Sequence, residues 1–312
     1  MKIGLDIMGG DYAPKTAVLG AIAAYPELEP GQDLVLIGNK EEVIPIFSEH
    51  DFNPDHFQFV HCTDVIGMGE HPTKAIAQKP NSSISIGFAM MKAGELDAFS
   101  SAGNTGAMLV GAMFSVKTIP GVMRPAITTL VPKEKGGYGL MHDVGANADC
   151  KPDNLLQFGV LGSIYAENIL HIKNPKVGLM NIGEEEEKGN MLTQATHTLM
   201  KEAETLNFIG NIEGRDLFND KADIIVCDGF TGNVMLKLAE TFYILNLKKG
   251  FRDEFFDRFN YEQYGGSAIL GINAPVIIGH GISSAEAIKN IILQSRDMIE
   301  SALIEKIKLA FK

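Results

Sequence analysis

Five short apolar runs in this chain each end in a turn built from glycine, asparagine, aspartate or serine, and helical patterns follow those turns. The turns are Gly9-Gly10-Asp11, Gly103-Asn104-Thr105-Gly106, Asp143-Val144-Gly145-Ala146-Asn147, Asp228-Gly229-Phe230-Thr231-Gly232-Asn233 and Gly279-His280-Gly281-Ile282-Ser283-Ser284. Strand, tight turn and helix in repeated succession predict an open, largely parallel sheet, with the turns gathered at its carboxyl edge, where ligands bind in such folds. The most telling example is Ser100-Ser101-Ala102-Gly103-Asn104-Thr105-Gly106-Ala107. There a strand ends in small residues, and a helix beginning near Thr105 aims unpaired N–H groups and its positive dipole end at whatever lies beyond the strand. A tight turn capped by Asn104 for geometry alone is the competing account.

The pattern places strands at 3–8, 34–37, 57–61, 97–101, 126–131, 138–143, 176–182, 224–227 and 276–278. Helices are expected at 14–25, 41–47, 83–92, 105–116, 152–170 and 190–206, with another capped by Thr231. A last helix opens at Ser283-Ser284-Ala285-Glu286, which has capping-box spacing. Pro132-Lys133-Glu134-Lys135-Gly136-Gly137 separates two strand runs and predicts an antiparallel hairpin, hence a mixed sheet. Residues 63–80, broken by Gly67, Gly69, Pro72 and Pro80, read as an irregular loop. The expected architecture is one continuous α/β domain over 1–312 with a mixed, largely parallel sheet, and 243–271 as a protruding helical subdomain. In that segment Phe251, Phe255, Phe256, Phe259, Tyr261 and Tyr264 accompany Lys248, Lys249, Arg252 and Arg258. An amphipathic helical hairpin packed in a core or dimer interface and an interfacial pair touching lipid or an acyl chain both give that mixture.

With 312 residues, 45% of them apolar, the chain can bury a large core. A formal charge of −12 argues against a nucleic-acid partner. Cys62, Cys150 and Cys227 are odd in number and widely spaced, which fits reduced thiols in a cytoplasm and neither a disulfide framework nor a zinc site. The N-terminal run carries Asp6 and glycines and reads as a strand, not a signal peptide. No apolar stretch approaches the roughly 20 residues a transmembrane helix needs. Several catalytic motifs are missing, among them GxSxG, the Walker sequence and GxGxxG. Gly183 to Gly189 mimics P-loop glycine spacing but encloses four glutamates. His50, His56, His61 and His71 match no zinc pattern, so neither metal nor cofactor is expected.

Helix N-termini, a few cations, and hydroxyl or amide groups at strand ends remain. Such a set can hold phosphate beside a polarised carbonyl oxygen. Phosphate is itself a nucleophile near neutrality. A thiol leaving group with a pKa near 8.5 needs little acid assistance, so positioning groups suffice.

The segments DxMGGDxxP (Asp6 to Pro14), GNTGA (Gly103 to Ala107), DVGAN (Asp143 to Asn147), VGLMNIGEEEEKG (Val177 to Gly189), GNIEGRD (Gly210 to Asp216), CDGFTGNVMLK (Cys227 to Lys237) and YGGSAILGINAPVIIGHGISS (Tyr264 to Ser284) resemble the phosphate acyltransferases of bacterial phospholipid synthesis. The resemblance spans nearly the whole chain. It implies conversion of acyl-acyl-carrier protein and inorganic phosphate to acyl phosphate, the donor for a membrane glycerol-3-phosphate acyltransferase. It also implies a three-layer α/β/α sandwich similar to the folds of phosphotransacetylases and isopropylmalate dehydrogenases, a homodimer, and peripheral attachment to the cytoplasmic face of the membrane. One departure stands in Glu70 to Lys79, where Ala77 and Gln78 occupy places in which the family usually carries an arginine, leaving Lys79 as the cation.

On this resemblance Lys188, Asn233 and His280 are the catalytic candidates: Lys188 and Asn233 to balance developing charge, His280 to protonate the departing thiolate. Gly103, Asn104, Thr105, Gly106, Asp143, Asn147, Asp228, Thr231, Ser283, Ser284 and Lys79 are the substrate-binding candidates. Asp6, Asp11, Asp143 and Asp228 read equally as loop-orienting groups. Because the carrier is acidic, docking needs a local basic patch, for which Lys248, Lys249, Arg252 and Arg258 are the first choice and Lys133 and Lys135 the reserve.

Overall fold

The computed structural model describes residues 1–260 and 264–312. In chain order the strands are β1 (Lys2–Asp6), β2 (Asp33–Gly38), β3 (Gln58–His61), β4 (Ala98–Ser101), β5 (Ala126–Pro132), β6 (Tyr138–His142), β7 (Lys176–Met180), β8 (Asn207–Ile212), β9 (Ile224–Val226), β10 (Ser267–Leu270) and β11 (Val276–Ile278). The helices are α1 (Lys15–Ala24), α2 (Lys40–Glu49), α3 (Pro72–Gln78), α4 (Ser83–Ala93), α5 (Thr105–Gly111), α6 (Pro152–Asn168), α7 (Met191–Glu202), α8 (Gly229–Lys248), α9 (Glu254–Asp257), α10 (Ala285–Glu300) and α11 (Leu303–Ala310). They form two compact units, Met1–Thr118 with Tyr261–Ile304, and Ile119–Asn260 with Glu305–Lys312.

In the first unit the strand order is β3-β2-β1-β4-β11-β10, parallel except for the β10–β11 pair. Ile3, Leu5, Leu36, Phe99 and Ile277 are fully buried, the near-continuous apolar content of strands covered on both faces. Helices α1 and α10 meet where Gly20 leaves room; a Cβ there would lie 2.5 Å from Ile288 Cβ. The second unit has the order β5-β6-β9-β7-β8, with the expected antiparallel hairpin at β5–β6 and parallel pairs elsewhere. The mixed, largely parallel α/β class read from the sequence, with helices on both sides, is the one observed. Among the described residues no helix is long and apolar enough to cross a membrane.

Several local expectations need correction. The presumed loop 63–80 contains α3, with Pro72 in its first turn, where the missing N–H is tolerated. The helix expected over 190–206 stops at Glu202, because Ala203 turns extended and leads into β8, whose Asn207, Gly210 and Asn211 give a weak strand signal. Helix α8 is capped by Asp228, not Thr231, and α10 by Ser284, whose hydroxyl accepts from Ala287 N at 3.3 Å. The helix over 105–116 is α5 followed by a π-helical turn, Ala112–Val116. Tyr261 lies outside the described residues.

Candidate functional site

In the first unit, β1, β4 and β11 run parallel, so their carboxyl ends share one edge. At the end of β1, buried Asp6 accepts Met8 N through Oδ1 at 2.9 Å and the Ser101 hydroxyl through Oδ2 at 2.6 Å. The same Ser101 oxygen accepts Gly103 N at 2.9 Å. Burial raises the Asp6 carboxyl above its usual range, while bonds from Ser101, Ser83, Met8 and Gly9 pull it back. Asp11 N reaches Gly281 O at 2.6 Å, which ties the turn after β1 to the turn after β11.

Asn104 is buried and fully engaged. Its Oδ1 caps α5 through Ala107 N at 2.9 Å, and its Nδ2 donates to the carbonyls of Gly67, Met68 and Glu70 at 3.0–3.2 Å. The side chain fastens the 67–70 loop against the turn, its two amide hydrogens shared among three carbonyls. Thr105 is exposed beside it. A Cβ on Gly106 would lie 2.3 Å from Pro72 Cγ, so this glycine is where α3 packs on α5. Lys79 is committed as well, donating to Glu70 Oε1 at 2.6 Å and to Val65 O at 2.8 Å. His280 is half-buried after β11, its carbonyl accepting from Ser283 N at 2.9 Å. Ser283 is buried, and its hydroxyl has no hydrogen-bond partner among the described residues.

In the second unit the shared carboxyl edge belongs to β6, β9 and β7. Asp143 is fully buried and accepts five N–H bonds at 2.7–3.2 Å, from the backbone of Ile127, Gly145, Ala146 and Asn147 and from Asn147 Nδ2. Asn147 Nδ2 also donates to Pro125 O at 2.8 Å. Asp228 accepts Thr231 N and the Thr231 hydroxyl, each at 2.9 Å. Asn233 Nδ2 donates to Val144 O at 3.2 Å. Helix α8 comes close to this loop at Gly232, where a Cβ would stand 1.9 Å from Asp143 O.

The loop after β7 is pinned through its carbonyls. Asn181 Nδ2 bonds Lys188 O at 3.1 Å, Asn211 Nδ2 bonds Glu185 O at 2.8 Å, and Gln194 Nε2 bonds Glu187 O at 2.6 Å. Glu184 pairs with Lys221 and Arg215, and Glu186 with Lys201. Lys188 is exposed, its stem lying over Gly183, and its ammonium has no ion pair among the described residues. Beneath this loop opens a cleft of about 450 Å³ with Leu155, Leu179, Met180 and Cys227 at its base, Met235 at its side, and Asp228 and Thr231 among its polar groups. Ile182 is common to that cleft and to a polar recess of about 440 Å³ that contains Lys188, Arg215 and three glutamates. No pattern in the sequence distinguished Leu155, Met180 or Met235 from ordinary core positions.

None of the three thiols is activated. Burial, reinforced by nearby carboxylates, pushes Cys62 up to about 11 and Cys150 up to about 12, and holds Cys227 well above its ordinary value. Cys227 Sγ donates to Asp143 O at 3.5 Å.

The basic patch is smaller than expected. Arg258 is withdrawn from it, because its guanidinium donates to Lys133 O at 2.6 Å and Gly137 O at 3.2 Å and lies over the Phe255 ring. Lys133 is also withdrawn, buried in an ion pair with Asp223. Arg252 faces Asp257 at 3.5 Å, and Lys135 faces Asp220 at 3.0 Å. Lys248 and Lys249 stay exposed at the end of α8.

The chain matches the model of the family described as "Fatty acid synthesis protein" over residues 1–255 and 243–306. It is 42% identical to a phosphate acyltransferase of Dictyoglomus turgidum over 98% of this chain and 96% of that protein. It is likewise 42% identical to a phosphate acyltransferase of Desulforamulus reducens, covering 99% and 96%. Among solved structures, a phosphotransacetylase from Streptococcus pyogenes is similar with a TM-score of 0.67 and 18% identity over 96% of this chain and 94% of that one. A branched-chain phosphotransacylase from Enterococcus faecalis aligns with a TM-score of 0.63 and 15% identity over 96% and 99%. At such identities the structural likeness speaks for the fold.

Proposed function

The chain belongs to the phosphate acyltransferase family and is an acyltransferase, and from that premise we propose that it transfers a fatty acyl group from acyl-carrier protein to inorganic phosphate, supplying acyl phosphate for phospholipid synthesis. A phosphate oxygen attacks the thioester carbonyl carbon, the tetrahedral intermediate collapses with cleavage of the C–S bond, and the proton carried by phosphate ends on the carrier thiolate. The products are acyl phosphate and free carrier protein, with no acyl-enzyme.

What supports the reading best is the cleft of the second unit: an apolar base beside polar rim groups, adjoined across Ile182 by a recess holding an exposed lysine whose ammonium has no ion pair among the described residues. Apolar pockets of several hundred Å³ with a few convergent polar groups are the usual form of a small-molecule site. In this reading the acyl chain enters the cleft past Ile182 and Met235 toward the buried Leu155, Lys188 meets charge developing on oxygen, and Asn233 orients the substrate carbonyl. For the first unit, taken by itself, the reading is that the backbone of Gly103, Thr105 and Gly106 and the start of α10 at Ser283 and Ser284 can hold an anionic oxygen, with His280 as a proton donor at that edge. Asn104, Asp143, Asn147, Asp228, Thr231 and Lys79 act by holding their loops. Lys248 and Lys249 receive the acidic carrier. A homodimer peripherally attached to the membrane, near the acyltransferase that consumes its product, completes the proposal.

The test is to incubate purified protein with an acyl-carrier thioester and labelled phosphate, and to trap the product with hydroxylamine. Label in acyl phosphate and hydroxamate in equal yield are expected. A covalent acyl adduct on the protein during turnover, or turnover with acyl-coenzyme A alone, overturns the reading.

A further inference from the structure

The cleft of the second unit is closed at its base, and the closure has a residue-level cause. Leu155 and Leu179 are 1% and 0% exposed. Behind them α6 is pressed against its neighbours: a Cβ on Gly159 would meet Leu206, Met200 and Val177 at 3.3–3.4 Å, and one on Gly162 would meet Ile224 at 2.9 Å. Neighbours this close at Gly159 and Gly162 leave little room along that face of α6 for a longer ligand to continue inward. Two elements of the base are fixed, since Leu179 lies in a strand paired on both sides and Cys227 is bonded to Asp143 O. The apolar lining residues that come from helices are Leu155 on α6 and Met235 on α8. At the mouth, Ile182 is 81% exposed, and Met191, next to the lining residue Asn190, is 88% exposed, giving an apolar chain an apolar approach.

We infer that Leu155 and Met235 set the length of the acyl chain that this enzyme accepts, Leu155 as the stop at the base of the cleft and Met235 as its adjustable side. The inference rests on the proposed function, and it concerns specificity, not the chemical step. Each methylene in an apolar pocket changes relative kcat/KM by roughly 10- to 200-fold, so one altered side chain at a closed end is enough to move the preferred length.

The experiment measures kcat/KM for acyl-carrier thioesters from octanoyl to octadecanoyl with the parent and with Leu155→Ala, Leu155→Phe and Met235→Phe. Leu155→Ala is expected to raise the ratio of the longer chain to the parent's optimum about tenfold or more. The two phenylalanine variants are expected to shift the optimum to shorter chains by a similar factor. Met235 is only half-buried, so its variant decides the matter where a Leu155 variant fails to fold. Folded variants whose length profile matches that of the parent overturn the inference while leaving the proposed function intact. A parent that forms no acyl phosphate from any member of the series overturns both.

Discussion

The Ser101 hydroxyl donates to Asp6 Oδ2 at 2.6 Å, and its oxygen accepts Gly103 N at 2.9 Å, so one serine couples the end of β1 to the turn after β4. The coupling needs Gly9, because a Cβ there would stand 2.4 Å from Asp6 Oδ2 and 2.7 Å from both Gly103 N and Ser101 Oγ. Two glycine turns far apart in sequence are thus a single assembly around a buried carboxylate. Burying that charge is tolerable because several donors surround it.

Gly9→Ala should therefore be more damaging than an added methyl usually is. Overpacking of a tight site costs about 1–3 kcal/mol, and here it falls on three polar atoms at once. Asp6→Asn keeps the shape but opposes an N–H to the Ser101 donor, for a loss of about 1–3 kcal/mol. Urea unfolding of both variants checks this; Gly9→Ala as stable as the parent would mean that the assembly is looser than described.

Acid should weaken the fold through His142. The ring is fully buried against Phe158, with Nδ1 on the Thr128 hydroxyl, and burial lowers its pKa from 6.5 to about 3. Below about pH 6.5 the unfolded chain binds a proton that the folded chain refuses, so this stability is complete above 6.5 and is lost as pH falls toward 3. The total is roughly 5 kcal/mol at most. Asp6 and Asp143, raised by burial, act in the opposite sense, since their folded forms take up protons first. Urea unfolding at pH 7 and pH 5 should show a smaller pH difference in His142→Asn than in the parent, even though the variant is less stable overall.

Thiol-directed alkylation at pH 7.5 should leave activity intact. The cysteines are held in the protonated form, and catalysis by positioned phosphate requires no thiolate. Rapid labelling of Cys227 by iodoacetamide would contradict its buried, protonated state; because Cys227 lies at the base of the cleft, inactivation in step with that labelling would report a blocked cleft and not a thiol nucleophile.

The β–α alternation, the hairpin at β5–β6 and most strand positions were legible because period and turn chemistry agree locally. Helix α3 and strand β8 were not: prolines bracket the former, and asparagine and glycine dilute the latter, so tertiary packing decides both. The turns of the candidate site were legible as Gly/Asn/Asp clusters, but not what their side chains do. Asn104 has a binding residue's composition, yet it is consumed by four bonds to its own chain. Arg258 looked like surface charge, and its partners are carbonyls more than a hundred residues away. The cleft had no sequence signal, since Leu155 and Met235 follow the same helical spacing as core residues.

Lys188 is the exposed cation on a loop whose carbonyls are pinned by three amides, so its position is preorganised although its ammonium has no ion pair among the described residues. Lys188→Ala should lower kcat at least tenfold on folded protein, with Lys188→Arg recovering part of it. Asn233→Ala should act mainly on KM, because its amide also fixes Val144 O in the turn after β6. Steady-state kinetics settles both; activity within about threefold of the parent, under roughly 0.7 kcal/mol of barrier, removes the residue from the mechanism.

Carrier docking and local stability should separate along the basic segment. Lys248 and Lys249 are solvated charges, so Lys248→Glu with Lys249→Glu should raise KM for the acidic carrier severalfold at low salt, with the difference fading as ionic strength screens the encounter. The double variant should melt like the parent, because exposed charges contribute little to folding. Arg258→Ala should behave the other way. It leaves the carbonyls of Lys133 and Gly137 without their guanidinium donor and strips the cation from Phe255, whose ring is packed against Phe218 and Phe259. Its loss should therefore lower the melting midpoint and loosen α9 while KM for the carrier stays near the parent value at low temperature. Hydrogen exchange across 251–260, read beside a salt series of KM, distinguishes the two. If Arg258→Ala weakened carrier binding as strongly as the double charge reversal without faster exchange, the guanidinium would belong to the docking patch after all.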